Sequence, residues 1–350
     1  TGIANQRSRE LRVFRADRLS LAGVKIPDYM QGRAFAGPAQ ASPNEFVLTT
    51  RDRMDERYDM MRSVVDSRWL YIRNFRPDIS YVQPLEYMFK ARGYQSCARM
   101  AAEGKLTAAT AQFWGEKPTE ELYDMHADPD SVHNLAQTAA HRATLDRMRA
   151  RLRQRMVEIK DNGLLPEGSA LEGYDASRLP GAWPVERVLD LALLASERDV
   201  AYLPKFIEAL GDTSEPIRWW AAQGCALLRE KSAPAEAALR RCLEDKSGAV
   251  AVAAAEALAR IGRREAALPV LAHWAQNTDA PAFILHAGNV LDRLGEIARP
   301  ALPAMKRALE SAKPTSGGTY PPQYILNHAV AVLEGRAAAL VYPSTTDRSR

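Results

Sequence analysis

Lys117–Ala136 reads KPTEELYDMHADPDSVHNLA, a stretch with a structural signal at nearly every step. From Glu120 to Met125 the residues alternate as in a short strand, with Leu122 and Asp124 on one face and Tyr123 on the other. Asp128-Pro129 then has the form of a helix start. Asp is an N-cap that accepts from the free amides of the first turn, Pro fits N1 where no N–H is needed, and Asp130 faces the positive helix end. Asn134-Leu135-Ala136 is expected to close that short helix, with a longer one following from about Ala139. Taken alone, these residues predict an edge strand joined to a capped helix.

The spacing Glu-x-Leu-Tyr-Asp-x-x-x-Asp-Pro-x-x-x-x-Asn-Leu-Ala, met here by Glu120, Leu122, Tyr123, Asp124, Asp128, Pro129, Asn134, Leu135 and Ala136, resembles the closing signature of the type I sulfatases. In that family it ends the small C-terminal sheet and begins the last helix. Upstream, Met61-Arg62-Ser63-Val64 followed by Tyr71-Ile72-Arg73-Asn74 is similar to the heparan N-sulfatase branch, which removes N-linked sulfate from glucosamine. The resemblance runs from Ser20 to Gly163. It implies the C-terminal subdomain of an alkaline-phosphatase-like sulfatase fold, an α+β piece with a small antiparallel sheet plus helices, and not a whole sulfatase.

The 350 residues suggest two domains, and 46% apolar with 26% charged residues places the chain among soluble globular proteins. A net charge of +4 and a pI near 8.9 suit an anionic ligand without singling one out. Cys97, Cys225 and Cys242 are odd in number and lack CxxC spacing, so neither a disulfide framework nor a zinc site is indicated. No apolar run reaches the roughly 18 residues of a membrane span. The start, Thr-Gly-Ile-Ala-Asn-Gln-Arg, has no initiating Met and no apolar signal-peptide core, and is expected to be the cut edge of something longer.

Residues 1–19, with Arg7, Arg9, Arg12, Arg15 and Arg18, are read as an irregular Arg-rich terminus. Strands are expected at Glu45–Thr50, Met60–Val65 and Trp69–Phe75, the last two joined by a tight turn at Asp66-Ser67; with Glu121–Met125 they make a four-stranded, largely antiparallel sheet. Tyr81, Tyr87, Phe89, Tyr94, Phe113 and Trp114 read as core or loop anchors rather than sugar-stacking rings. His126 and His133 lie near Asp128 and Asp130, but those acids are assigned to capping and no metal site is expected. In the helix expected over Ala139–Lys160, Leu145, Met148, Leu152 and Met156 form one apolar stripe. Arg147, Arg149, Arg151, Arg153 and Arg155 occupy the other faces as solvated surface.

Residues 164–183 read as a linker, 184–336 as a repeat array and 337–350 as a tail. Ile217–Ala222, Val250–Ala255 and Phe283–Gly288 head helices 33 residues apart, and partner helices begin at Leu203-Pro204, Ala233-Pro234, Leu268-Pro269 and Leu302-Pro303. Asp212, Asp245 and Asp279 punctuate the turns. Val185–Ala195 and Tyr324–Gly335 read as terminal caps, the latter after a polar loop at Lys313–Pro322. The array resembles HEAT-type helical repeats, an all-α solenoid used for binding or spacing; ankyrin is excluded because its Thr-Pro-Leu-His turn is missing. His273, His286 and His328 are read as structural.

Between the first two strands lies Arg51-Asp52-Arg53-Met54-Asp55-Glu56-Arg57-Tyr58, six of whose eight residues are charged. One reading is a solvated connection. The other is a substrate-binding loop of Arg51, Arg53, Asp55, Glu56 and Arg57, in which Arg pairs with sulfate oxygens and Asp or Glu accepts from sugar hydroxyls. The family resemblance favours the second, because there this loop approaches the substrate pocket. The same resemblance implies calcium and a formylglycine made from Cys or Ser in Cys/Ser-x-Pro-x-Arg. All three cysteines lack the Pro, and the chain is expected to carry no such motif, no catalytic residue and no metal ligand.

The expectation is therefore a C-terminal sulfatase fragment that supplies pocket wall but not the nucleophile. In full-length form it would act on a sulfated sugar, as a sulfate ester or sulfamate hydrolase. The alternative is a non-catalytic HEAT-repeat interaction scaffold with a relic sulfatase-like half and a protein partner. Nucleic-acid binding rests on Arg content alone, without a recognised module, and is not expected.

Overall fold

The computed structural model describes residues 13–28, 30, 32–277, 280–311 and 321–337. Arg7, Arg9, Arg12, Asp279, residues 313–320 of the polar loop and the tail from 338 onward lie outside the described residues. Along the chain run α1 (Val13–Leu21), β1 (Val47–Arg51), β2 (Met61–Val65), β3 (Trp69–Asn74), α2 (Glu86–Phe89), α3 (Arg92–Ala102), α4 (Ala108–Ala111), β4 (Glu120–Asp124) and α5 (Arg142–Glu158). Then follow α6 (Tyr174–Arg178), α7 (Val185–Glu197), α8 (Leu203–Ala209), α9 (Glu215–Leu228), α10 (Glu236–Cys242), α11 (Gly248–Arg260), α12 (Arg264–Ala275), α13 (Pro281–Leu294), α14 (Leu302–Ser311) and α15 (Pro321–Leu333). The chain forms two compact units: residues 1–50, 62–73 and 120–155 in one, and 51–61, 74–119 and 156–350 in the other.

The first unit holds a small antiparallel sheet in the order β1-β2-β3-β4, with Trp69 opposite Asp124 and Arg73 opposite Glu120. The β2–β3 turn is tied by Asp66, whose Oδ1 accepts from the amides of Arg68 (2.8 Å) and Trp69 (2.6 Å). Val64, Tyr71 and Leu122 are buried, as are Leu145, Met148 and Leu152 on the expected stripe of α5. Each such side chain contributes about 1.5–3 kcal/mol by leaving water. Tyr71 Oη donates to Glu120 at 2.5 Å, and Arg149 and Arg73 also reach that carboxylate. Burial and the Glu120 charge push the Tyr71 hydroxyl well above its usual range. Of the arginines of α5 read as solvated surface, Arg147 and Arg151 do keep contact with solvent and also pair, Arg147 with Asp66 at 3.0 Å and Arg151 with Glu45 at 2.7 Å.

Two expectations are corrected in this unit. The helix predicted to start at Asp128-Pro129 does not form, and residues 125–138 are turns and extended chain. Asn134 is the cause. Its Oδ1 accepts from Leu122 N (3.0 Å), its Nδ2 donates to Glu120 O (3.0 Å), and Leu135 N donates to Leu122 O (2.8 Å), so this segment is held along β4. Asp128 closes a turn, its carboxylate accepting from His133 N at 2.7 Å. With that cover every residue of β4 is buried, although β4 ends the sheet order. The second correction concerns the irregular terminus, because α1 begins at Val13, inside it. The helix is anchored by Asp17, which accepts from Phe35 N at 2.6 Å, and by Ser20, which accepts from Ala39 N at 3.0 Å.

In the second unit α9, α11 and α13 start at Glu215, Gly248 and Pro281, at the expected intervals, with α8, α10, α12 and α14 as partners and α7 and α15 at the ends. Small residues set the spacing: a Cβ added at Gly224 would lie 2.9 Å from the Phe206 ring, and one at Gly288 would lie 2.8 Å from Ile325. Turn aspartates link the repeats. Asp245 accepts from Ser247 N at 2.8 Å and binds Arg218 of the preceding repeat through two bonds of 2.6 and 2.9 Å. The segment 164–183, expected as a linker, is packed. Leu164 O accepts from Trp220 Nε1 (2.9 Å), Ser169 Oγ donates to Glu215 (2.6 Å), and Trp183 is buried with its Nε1 on Ser177 O. Its buried Leu164, Leu165 and Trp183 outweigh the turn-like composition that suggested a linker.

Candidate functional site

The charged connection between β1 and β2 is a built structure. Met54 and Arg57 exchange two backbone hydrogen bonds of 2.9 Å, closing a tight turn with Asp55 at φ +44°, a left-handed conformation that Asp tolerates better than most residues. The turn divides the five candidate residues. Arg53 and Asp55 are exposed, Arg51 is half-buried, and Glu56 and Arg57 are 2% and 3% exposed.

Each half has its own partners. Glu56 accepts from Glu86 N at 2.6 Å, at the start of α2, and its carbonyl accepts from Asn289 Nδ2 at 2.8 Å. Arg57 donates to Asp292 at 2.6 Å and to Pro84 O at 3.0 Å, and Asp292 also meets His328 Nδ1 at 2.6 Å. Tyr58 stands edge-on to Trp219 and to His286, with ring centroids 6.4 and 5.6 Å apart. At the tip, Arg53 Nε is 2.8 Å from both oxygens of Glu167, and Arg53 Nη1 donates to Asp55 O. Burial raises the Glu167 carboxyl against the pull of Arg53.

Beneath the loop lies Asp59, which sequence reasoning missed. It receives Lys117 Nζ at 2.5 Å, both side chains being fully enclosed, and Arg51 Nε stands 3.5 Å away. Burial lowers the Lys117 ammonium although Asp59 opposes the shift. A second missed cluster joins Arg76, Asp78, Glu256, Arg260 and Arg293. Glu256, which burial alone would raise, is held at about 2 by Arg293 and Arg260. Burial, with Arg293 and Arg76, takes His286 down to about 4. Asp59 and Lys117 are 58 positions apart, and although Arg76–Asp78 and Glu256–Arg260 are local pairs, the bond that joins Glu256 to Arg293 spans 37 positions, so no local pattern shows that these pairs come together.

Among the described residues no three His, Cys, Asp or Glu side chains converge in the manner of a metal site. Asp59, Asp78, Glu256 and Asp292 each face a Lys or Arg, so these four carboxylates do not fit a calcium ion. One expectation about motifs is corrected. Ser214-Glu215-Pro216-Ile217-Arg218 does satisfy Ser-x-Pro-x-Arg. It is the head of a repeat helix, with Ser214 at the N-cap position of α9 and Arg218 locked on Asp245. Of the aromatic residues read as anchors, Trp114 is buried, whereas Tyr87 is 75% exposed.

Residues 203–291 match the HEAT-repeat family. The chain is also 35% identical, over 159 residues, to an ulvan-active sulfatase of Formosa agariphila; the match covers 45% of this chain and 27% of that protein. This chain thus joins a sulfatase-like part to HEAT repeats. It spans about a quarter of the length of that relative. A crystal structure of an engineered protein is 14% identical over 70% of this chain and 98% of its own, with a TM-score of 0.30, too low to bear on the fold. No helix of the described residues is long and apolar enough to cross a membrane.

Proposed function

We propose that this chain is the C-terminal part of a sulfatase acting on a sulfated sugar, with the β1–β2 loop as one wall of the substrate pocket. The likeness to the Formosa agariphila sulfatase carries the reading. Within it, Arg53 and Asp55 at the exposed tip, with half-buried Arg51, contact the sugar. Arg gives paired hydrogen bonds to sulfate oxygens and Asp accepts from hydroxyls. Glu56 and Arg57 belong to the same wall and hold the turn in shape, since their side chains meet Glu86 N and Asp292. The finer assignments are proposals of the same kind: an alkaline-phosphatase-like fold, a heparan N-sulfatase-like specificity, and a nucleophile and calcium held outside this chain.

The test is titration of the chain with a sulfated oligosaccharide and its desulfated counterpart at low salt. Sulfate-dependent binding that Arg53→Ala weakens about tenfold, on the scale of a charge-assisted hydrogen bond, supports the pocket wall. Equal affinity for both sugars overturns it. A second reading, a HEAT-repeat scaffold with a relic sulfatase-like half, is favoured by one observation: all three guanidinium groups of the loop already have protein partners. Absence of sulfate-dependent binding leaves that reading standing.

A further inference from the structure

We infer that the helical repeats hold a water-sized monovalent anion, of the kind represented by chloride, in a small, largely apolar cavity with a few polar groups, walled by α9, α11 and α13. The cavity measures about 20 Å³, room for one water-sized particle and far too little for a tetrahedral oxyanion. It is therefore not a sulfate site and goes beyond the pocket proposed above. Gln223 lines it from α9, Glu256 from α11, and His286, Asn289 and Arg293 from α13, with Tyr58 alongside.

Two independent observations point to an occupant. Three lining atoms are shut off from solvent without a hydrogen-bond partner: Gln223 Oε1, His286 Nε2 and Arg293 Nε. Most buried polar atoms in native interiors have a partner, and here three without one line a single cavity. The second observation is charge. Arg76, Arg260 and Arg293 face only Asp78 and Glu256: Arg76 makes two 2.9 Å bonds to Asp78, Arg260 lies 2.8 Å and Arg293 2.9 Å from Glu256. His286 stays neutral, as burial and its arginine neighbours dictate. Three cations against two carboxylates leave one positive charge in excess beside the cavity, where Arg76 is buried and the Arg260 and Arg293 side chains keep only 17% and 16% of their surface in water, and an excess charge so poorly hydrated favours a counter-ion. The neighbouring pair Arg57–Asp292 is balanced and does not remove the excess.

The donors match that ion. Arg293 Nε–H can only donate, His286 donates in its Nε2–H tautomer, and Gln223 presents its NH₂ when the amide is turned by half a rotation. A cation would meet Arg293 head-on. A water satisfies some of the hydrogen bonds and leaves the charge.

The test uses the full chain. Crystals soaked in sodium bromide should show an anomalous peak within the cavity, in hydrogen-bond reach of Arg293 Nε. Thermal midpoints in sodium chloride and bromide should rise with halide concentration above those in sodium gluconate of equal ionic strength, by the mass action of a ligand bound only to the native state. Gln223→Leu keeps all five charges and removes one ligating group, so it should lose most of that halide-specific rise; Arg293→Met should abolish it. Density without a bromide signal, or halide and gluconate midpoints that coincide in the parent and in Gln223→Leu, overturns the inference and makes the occupant a water.

Discussion

Arg57 and Asp292 are 235 positions apart in the chain and 2.6 Å apart in the fold. The Arg57 side chain is buried and that of Asp292 is 10% exposed, and the pair fastens the β1–β2 loop to α13. The second half of a loop that looks like a solvated connection in sequence, Glu56–Tyr58, is thus an inner part of the repeat-containing unit, held also by Asn289 on Glu56 O and by Tyr58 against Trp219 and His286, while the tip at Arg53–Asp55 stays exposed.

Removing one partner from that pair should be more harmful than removing both. Arg57→Met leaves Asp292 enclosed with only His328 beside it, and should lower unfolding stability by about 3–5 kcal/mol, the usual cost of an orphaned buried charge. Arg57→Met combined with Asp292→Leu should recover a large part of the loss. Urea unfolding of Arg57→Met, Asp292→Leu and the double variant measures both figures. A double variant as weak as the sum of the singles would show that the pair acts independently of charge.

The elements of the fold were legible where periodicity was strong. The stripe Leu145, Met148, Leu152 and Met156 marks α5, and the 33-residue recurrence places α9, α11 and α13, because both patterns are local consequences of which face is buried. Asp128-Pro129 misled because a capping signal says only what a terminus would accept; Asn134 offers the same backbone a better set of partners on β4. Of the candidate site, charge density in the sequence draws attention to the loop, but it does not show the burial of Glu56 and Arg57. Their partners Glu86 and Asp292 are 30 and 235 residues away, and no spacing rule reaches so far. The same distance hides Lys117 from Asp59.

Asn134 should prove a structural determinant of the sheet edge. Asn134→Ala removes an acceptor for Leu122 N and a donor to Glu120 O, both part-buried, and should destabilise the protein by about 2–3 kcal/mol. Hydrogen exchange at Leu122 and Leu135 should accelerate in parallel. Asn134→Asp keeps the acceptor but loses the donor, and should fall between the two. Unchanged exchange at Leu122 in the Ala variant would mean that Leu135 alone holds the segment in place.

The buried His286 sets a pH dependence whose sign follows from its lowered value. An unfolded His takes up a proton near pH 6.5, the folded one only near pH 4, so the unfolded state binds more protons between those limits. Stability is full above pH 6.5 and declines as the pH falls to about 4, by about 3 kcal/mol from this group. The groups acting on it are Arg293, Arg76 and Arg53, which lower its pKa, and Glu256, which raises it. Glu256 itself is held at about 2, so its own loss belongs to a lower window, between about pH 4.5 and 2. Denaturant titrations from pH 7.5 to 4 at constant salt should therefore show a slope that His286→Phe flattens; an equal slope in that variant would assign the effect elsewhere.

The chain Thr1–Arg350 should hydrolyse neither an aryl sulfate nor N-sulfoglucosamine. A pocket wall positions a substrate, whereas the barrier falls through an activated nucleophile and a cation that stabilises charge on the sulfate oxygens. Ser214 has the right sequence neighbours for conversion to an aldehyde, but its motif is folded as a repeat turn. Arg218 is bound to Asp245 and to the carbonyls of Asp212 and Thr213, so the guanidinium that would meet a sulfate is engaged. No cluster of metal-binding side chains accompanies it among the described residues. Mass spectrometry should find residue 214 as intact serine, and turnover with added calcium should stay at background while a full-length sulfatase assayed alongside is active. Calcium-dependent turnover that survives repurification and is lost in Ser214→Ala would place the chemistry in the repeats and sink the pocket-wall reading.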